Sequence, residues 1–462
     1  MSLMIGEIGP NERLDAHLAV DALARVFPRH TLEAVIDGCG VREQRCRKLP
    51  AVLTLLVCIA MHLYAHESLP HVFRALVSGL RWCWPRHEAL SVTSGALCQA
   101  RERLGAQPLV TLFRTICQPL ATSTTPGAFL CGYRLMALDG TRLDLPDTPA
   151  NAAAFGRPGS GRGQSAWPQA QVVALGECGT HALCDAGVWR CDAAERAAAQ
   201  RLLRSLTAAM LVCWDRGLHS FDLLVQTQAR GAQFLGRLPR HVRPELLAVL
   251  SDGTSLVCLR PSEPVRRRAG EQLVARLIRY TLDDPPRPGH ADEHRLLTSL
   301  LDPAQAPAAQ LVVAYHQRWE LELTIDELKT HQRPARPLRS HKPVGVIQEL
   351  YALFLAHYLV RAVMAAAATT AELAPTRLSF LDSLRLIREA LPDLQRSAPG
   401  EHGRITQRLR ADLLAAKLPW RRNRSNPRVV KRKMTNFRVK RPAHRHWPQP
   451  TKPFQEAIVL LI

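Results

Sequence analysis

Between residues 129 and 217 the chain changes its hydrophobic period from two to about 3.6 and back, and that alternation limits the possible folds more than any other feature. YRLMALDGTRLDLP alternates and is rich in β-formers, and AQVVALGEC and HALCDAGVWR read as further strands joined by a tight turn at Gly179. DAAERAAAQRLLRSL reads as an alanine-rich helix capped by Asp192, and MLVCWDRG as a short apolar strand. Three strands, a helix and a fourth strand require a sheet covered by helices.

The flanks differ. Residues 12 to 121 read as helices throughout, with Thr93 or Ser94 as an N-cap and Gly105 as a C-cap of the segment TSGALCQARERLG. That helix carries Gln99, Arg101 and Arg103 on what reads as its polar side, either as a DNA-reading helix or as the solvated face of a bundle. The break ATSTTPGA separates this bundle from the strands. After Gly217, QFLGRLP, TSLVCLRP and VARLIRYTL look like strands of an insertion; the α/β pattern resumes with HRLLTSLLDP and a long helix from about Pro307 to Thr330. An apolar helix at 345–369, amphipathic helices at 377–391 and 404–417, and a basic tail follow. The order implies an α/β core of ribonuclease-H-like type interrupted by a β-rich insertion, with an all-α N-terminal domain and a helical, basic C-terminal region. The expected boundaries are 1–125 for the helical domain, 129–231 and 295–345 for the core, 232–294 for the insertion and 346–462 for the C-terminal region.

Lys plus Arg outnumber Asp plus Glu by 61 to 40, a formal charge of +21, and a field of that sign gathers polyanions. Nucleic acid is therefore the expected partner, ahead of an anionic membrane. The longest apolar runs, from Ala51 and from Leu350, read as buried helices, the second because it carries His357 and Arg361. No transmembrane segment is expected, and the cytoplasm, in association with the nucleoid, is the expected compartment. Twelve cysteines without a single C-x-x-C fit buried thiols better than a zinc ribbon. In the tail, Arg421, Arg422, Lys431, Arg432 and Lys433 lie in a stretch without Asp or Glu, interleaved with Trp420, Phe437 and Trp447, as a nucleic-acid-binding segment would be.

One further segment points to chemistry. In AYHQRWELELTIDELKTHQ, at about 100° per residue, a continuous helix carries Tyr315, Arg318, Glu322 and Lys329 within an arc of about 60°. A carboxylate set among cations and a phenol suits a metal ion that meets a phosphodiester. Two further acids complete a hard-donor set: Asp139 in the strand ALDGT, and Asp215 at the end of MLVCWD, where α/β sites gather. Asp144 lies an odd number of residues from Asp139 and so faces the other way. Asp147, Asp185 and Asp192 read as turn or cap residues, and Asp326, one turn beyond Glu322, is a rival third ligand.

These residues resemble the DDE transposases of bacterial insertion sequences, specifically the insertion sequence four family. That family is marked by tyrosine, two residues, arginine, three residues, glutamate, six residues, lysine, which here is Tyr315, Arg318, Glu322, Lys329. The similarity extends to LDGTRLDLPDTPANAAAF, WDRG, SGALCQARERLG and NPRVVKRKMTNFRVKRP, in that family's order, over nearly the whole chain.

The resemblance implies a ribonuclease-H-like core in which Asp139, Asp215 and Glu322 bind two Mg2+ ions, with Mn2+ as a substitute, and in which Tyr315, Arg318 and Lys329 hold phosphates of the transposon end. It implies cleavage at element ends and joining to target DNA, with double-stranded DNA (terminal inverted repeats and target) as partner and a homodimer in the synaptic complex. Some relatives stack a flipped base on a tryptophan of the insertion; none lies between Trp214 and Trp319 here, so either Tyr280 or Phe234 substitutes or the hairpin step differs, and hairpin formation stays open. Two other classes share the features: a non-transposing two-metal nuclease or resolvase, and a domesticated DNA-binding protein.

Overall fold

The computed structural model describes residues 26–45, 49–77, 92–160, 163–333, 337–397, 399–419, 429–430 and 438–461. Helices α1 (Arg29–Gly38), α2 (Ala51–Leu63), α3 (Leu69–Val77), α4 (Ser94–Leu104) and α5 (Gln107–Ile116) come first. Then follow β1 (Tyr133–Asp144), α6 (Pro149–Phe155), β2 (Gln169–Glu177), β3 (Leu183–Arg190), α7 (Glu195–Leu202), β4 (Met210–Trp214), α8 (Phe221–Ala229) and β5 (Gln233–Arg237). The remainder comprises β6 (Glu245–Val249), β7 (Ser255–Leu259), β8 (Leu273–Leu282), β9 (His294–Thr298), α9 (Ala308–His316), α10 (Trp319–Asp326), a π-helical turn at Glu327–His331, α11 (Pro343–Thr369), α12 (Phe380–Arg396), α13 (His402–Ala415) and β10 (Ile458–Leu460).

The chain divides into two compact units, the first formed by Met1–Phe129, Ala137–Ser205 and Glu320–Leu418, the second by Leu130–Met136, Leu206–Trp319 and Pro419–Ile462. In the first unit, α11 packs against α2, α5, α12 and α13. A helix apolar on all sides must be buried on all sides. By length and composition this 27-residue helix could cross a membrane, but 83% of its apolar window is buried inside the protein. Helix α2 obeys the same rule, with every residue from Val52 to Leu63 buried. The cap reading of α4 holds: Thr93 Oγ1 accepts from Ala96 N (3.2 Å), and Gly105 takes a positive φ of 66°.

The sheet of this unit runs β3-β2-β1, with β2 and β3 antiparallel in the register Val172↔Val188, Ala174↔Ala186. Both strands are nearly continuous apolar runs because α7 packs on them. Asp192 does not cap α7: the N-cap is Ala194, without a side-chain bond, while Asp192 pairs with Arg190 (3.1 Å). At the β2–β3 turn, a methyl group on Gly179 would stand 2.6 Å from Ala128 Cα. Gly179→Ala is therefore expected to destabilise the fold by about 1–3 kcal/mol through overpacking, read as a lower midpoint in denaturant.

In the second unit the order is the start of β1, then β4, β5, β9, β8, β7 and β6. Strands β4 and β5 are parallel (Leu211↔Gln233, Trp214↔Gly236), joined through α8; the pairs β5–β9, β9–β8, β8–β7 and β7–β6 are antiparallel. The sequence reading assigns β5 to the insertion, but its parallel ladder with β4 joins it to the α/β part. Strand β6 escapes the sequence reading because all five of its residues are exposed, leaving no periodic signal.

The region 346–462 is not uniformly helical. Beyond α13 its described residues hold short strands and 3-10 turns, and β10 pairs antiparallel with the last residues of β8 (Tyr280↔Leu460).

The long helix expected from Pro307 to Thr330 is interrupted twice. The Gln317 amide bonds to both Val313 O (3.3 Å) and Ala314 O (3.0 Å), and Arg318 N reaches Tyr315 O (3.1 Å), a shift from the i−4 to the i−3 pattern that ends α9. Further on, Gln332 N donates to Glu327 O (2.8 Å), an i−5 bond that inserts one residue into the turn.

Candidate active site

In the first unit, β1 holds Asp139 half-buried, its Oδ1 accepting from Gly140 N (2.8 Å). Gly140 has no side chain because the Glu195 carboxyl of α7 fills that space, its Cδ 2.9 Å from where a Cβ would stand. Thr141, two residues beyond Asp139, shares its face of the strand. Lys329 Nζ donates to Thr141 Oγ1 (3.1 Å), so an ammonium stands on the Asp139 face of β1. Although its residue surface is exposed, the Lys329 ammonium is crowded by protein: desolvation pulls its pKa down, Arg333 lowers it further, and Asp144 and Asp326 offset part of this.

Glu322 lies half-buried on α10, next to Leu321, whose Cδ1 occupies the space 2.5 Å from a Cβ at Gly176. The missing side chain at Gly176 thus lets α10 lie directly on β2. Asp144 accepts from Gln169 Nε2 (2.7 Å) and is also the carboxylate that acts most on Lys329.

In the second unit, Asp215 follows β4 directly, and its Oδ1 accepts from Gly217 N (2.8 Å) and Leu218 N (3.2 Å) in a tight turn that fixes the carboxylate. Burial pushes the Tyr315 phenol well above its ordinary pKa; Arg318 and Arg237 pull it back, and Asp215 and Cys213 push it further. The phenol therefore stays a neutral donor within the field of two guanidiniums and the Asp215 carboxylate. Arg318 is 8% exposed, and it partly offsets the burial that pushes the Cys213 thiol up to about 12.

The single stripe expected of one helix is thus corrected. Tyr315 and Arg318 belong to the second unit with Asp215, while Glu322 and Lys329 belong to the first with Asp139; the helix breaks at residues 317–318, and Lys329 lies within the π turn Glu327–His331. Among the described residues no three His, Cys, Asp or Glu side chains form a group able to hold a metal ion.

Of the end-binding candidates on α4, Gln99 and Arg103 are exposed, but Arg101 is not on the polar side. It shares the buried stripe with Leu97, Ala100 and Leu104, donating to Gln348 Oε1 (2.9 Å) and Ser340 Oγ (3.0 Å). Its spacing from Leu97 already carried that signal. Arg421, Arg422, Lys431, Arg432 and Lys433 lie outside the described residues. Asp326 is exposed and accepts from Thr330 Oγ1 (2.7 Å). Asp185 is not a turn residue: it is buried in β3, accepting from Arg204 Nη2 (2.7 Å) and Ser205 Oγ (2.6 Å). Neither proposed stacking aromatic is open to a base, since Phe234 packs against Trp214 (5.8 Å between centroids) and Tyr280 stacks on His294 (4.9 Å), both buried.

Sequence reasoning missed a buried polar cluster in the first unit. His181 Nε2 lies 2.7 Å from Glu320 Oε2 and its Nδ1 3.0 Å from Glu327 Oε1. Glu327 also accepts from His357 Nε2 (2.9 Å) and from both Nε (2.9 Å) and Nη2 of Arg361. The available signal was a histidine and an arginine four residues apart in the apolar run from Leu350, which require a buried partner.

Residues 17–114 match the family model described as insertion element 4 transposase N-terminal, and residues 130–359 match the transposase DDE domain. The transposase InsG for insertion sequence element IS4 of Escherichia coli (strain K12) is 32% identical over 421 residues, 90% of each chain. The InsZ sequence of the same strain is 30% identical over 155 residues, 33% of this chain and 52% of that one. A piggyBac transposase synaptic complex with hairpin DNA aligns with 88% of this chain and 87% of its own at a TM-score of 0.42 and 12% identity, too distant a likeness to argue from. The chain belongs to the insertion sequence four family of DDE transposases, metal-dependent enzymes that cleave DNA and transfer its strands.

Proposed function

We propose that Asp139, Asp215 and Glu322 are the metal-holding acids of this transposase, and that Tyr315, Arg318 and Lys329 grip phosphates of the element end. The observation that supports the reading is the segment from Tyr315 to Lys329: Arg318 and Asp215 both act on the Tyr315 phenol, and Lys329 donates to Thr141, two residues beyond Asp139 on β1. The donors are all hard carboxylate oxygens, which fit two divalent ions of the Mg2+ type. When bound, such ions supply Lewis acidity to the attacking and leaving oxygens of the phosphodiester.

The protein's own part is orientation. The Asp215 turn aims one carboxylate, β1 aims a second, and α10, seated on Gly176, aims the third. Arg318 and Lys329 supply positive charge where the transferring phosphate gains negative charge, and the neutral Tyr315 hydroxyl adds a donor.

The wider arrangement belongs to the same proposal: a ribonuclease-H-like core, supported by β3-β2-β1 in one unit and β1-β4-β5 in the other; the domain boundaries given above, with β5 in the core; end binding that includes Gln99 and Arg103; and a homodimer on paired ends. Lys329→Ala and Arg318→Ala are expected to slow strand cleavage by about 10²–10³-fold, with weaker end binding for Arg318→Ala. Single-turnover cleavage and end-binding titrations on a duplex carrying the inverted repeat that flanks the gene test this. Parent-like values for both variants would remove the phosphate-grip assignment.

A further inference from the structure

The buried cluster around Glu327 offers nothing to DNA, yet it is expensive to maintain. His181, Glu327, His357 and Arg361 have side chains no more than 8% exposed. No partner among the described residues meets His357 Nδ1 or Arg361 Nη1. A set of charges buried with incomplete pairing is commonly less stable than a well-packed apolar core, so stability alone does not account for it. His181 also sits at φ 61°, a left-handed backbone that a non-glycine residue adopts only when its surroundings hold it there.

What the cluster touches is the segment bearing Glu322 and Lys329. Glu320 and Glu327 are seven residues apart, two helical turns, and so lie on one face of that segment. The first is tied to His181 on the β2–β3 turn; the second is tied to the same His181 and to His357 and Arg361 on α11. Between these anchors, Leu321 is seated over Gly176. Glu322 is two residues from Glu320, about 200° around the helix, and so faces away from the clamp. A helix held at both ends on one face cannot roll, and its opposite face is thereby aimed.

We propose that His181, bridging Glu320 and Glu327 and backed by His357 and Arg361, is a positioning clamp that fixes the roll and height of α10 and so sets the direction in which Glu322 meets a divalent cation. This rests on the reading of Glu322 as a metal-holding acid. The clamp residues touch neither metal nor DNA and act only through the helix they hold. Outer residues that orient a ligand typically change metal affinity 10–100-fold when removed.

The test is Mn2+ binding by the full-length protein, followed by electron paramagnetic resonance, for the parent, Glu322→Gln, Glu320→Ala and Glu320→Gln, with a thermal melt of each. The expected result is weaker Mn2+ binding in Glu322→Gln, a loss of about tenfold or more in a cooperatively melting Glu320→Ala, and near-parent binding in Glu320→Gln, which keeps an oxygen acceptor for His181. Parent-like affinity in a folded Glu320→Ala, with Glu322→Gln weakened, overturns the clamp and leaves the acid assignment standing. Parent-like affinity in Glu322→Gln overturns both. Should Glu320→Ala not fold, hydrogen exchange on the metal-free parent decides: amides of 320–331 protected as strongly as those of α11 support the clamp, and exchange as fast as an exposed loop overturns it.

Discussion

Asp139→Asn, Asp215→Asn and Glu322→Gln should each lower strand cleavage by about three orders of magnitude or more while leaving end binding largely intact. Each change keeps the size of the side chain and removes one anionic oxygen donor. A hard cation holds poorly to an amide, and the Lewis acidity lost with it amounts to several kcal/mol of barrier, with tenfold in rate for each 1.36 kcal/mol. Asp139 accepts from its neighbour's amide and Asp215 from two turn amides, bonds that an asparagine oxygen can keep. Cleavage of an end-bearing duplex with Mg2+ reads the effect, and binding of the same duplex in a gel-shift series serves as the control. If all three variants cleave at the parent rate, the site assignment is wrong.

The largest stability effect is expected at Glu327. Truncation to alanine leaves Arg361 buried without its carboxylate, and removing one partner of a buried pair costs about 3–5 kcal/mol. The loss should appear as a lower midpoint in chemical denaturation.

The same carboxylate shapes the acid response. Burial alone would raise its pKa, but Arg361, His181 and the hydrogen bonds from His181 and His357 outweigh burial and hold it well below the usual range. Its stabilisation is complete above the unfolded glutamate value of about 4.3 and drains away as the pH falls below that. His357 and His62, both depressed first by burial, add an earlier loss that begins as the pH drops below the unfolded histidine value of about 6.5. Stability should therefore fall in two stages on acidification, and the later stage should shrink in Glu327→Ala.

Much of this was legible in the sequence. The strands around Asp139 and Asp215 could be read because β4 is apolar throughout and β2 is buried along almost its whole length; β1 does not alternate as expected, since Leu135–Leu138 are all buried, and was legible from its β-formers. What could not be read has physical reasons. Exposed β6 has no buried face to print a pattern. The pairing of β10 with β8 joins residues far apart in sequence. Arg101 was misread because its charge was weighed above its position on the Leu97–Leu104 stripe. The break after α9 has no proline or glycine to announce it; only the backbone bonds at Gln317 and Arg318 reveal it. Asp139 and Asp215 were picked out by their places in strands, and Tyr315, Arg318, Glu322 and Lys329 by a spacing that resembles a family; the structure changes how that spacing is understood, since it counts residues across a break and a bulge rather than turns of one helix.

The π turn at Glu327–His331 carries a final consequence. It holds one residue more than regular winding would accommodate, so a chain shortened by one position there could wind more tightly and gain better backbone hydrogen bonding. Everything downstream of the deletion would then rotate by about 100°, swinging the ammonium at Lys329 off its side of the strand. Drift toward greater robustness and retention of activity thus pull against each other within five residues.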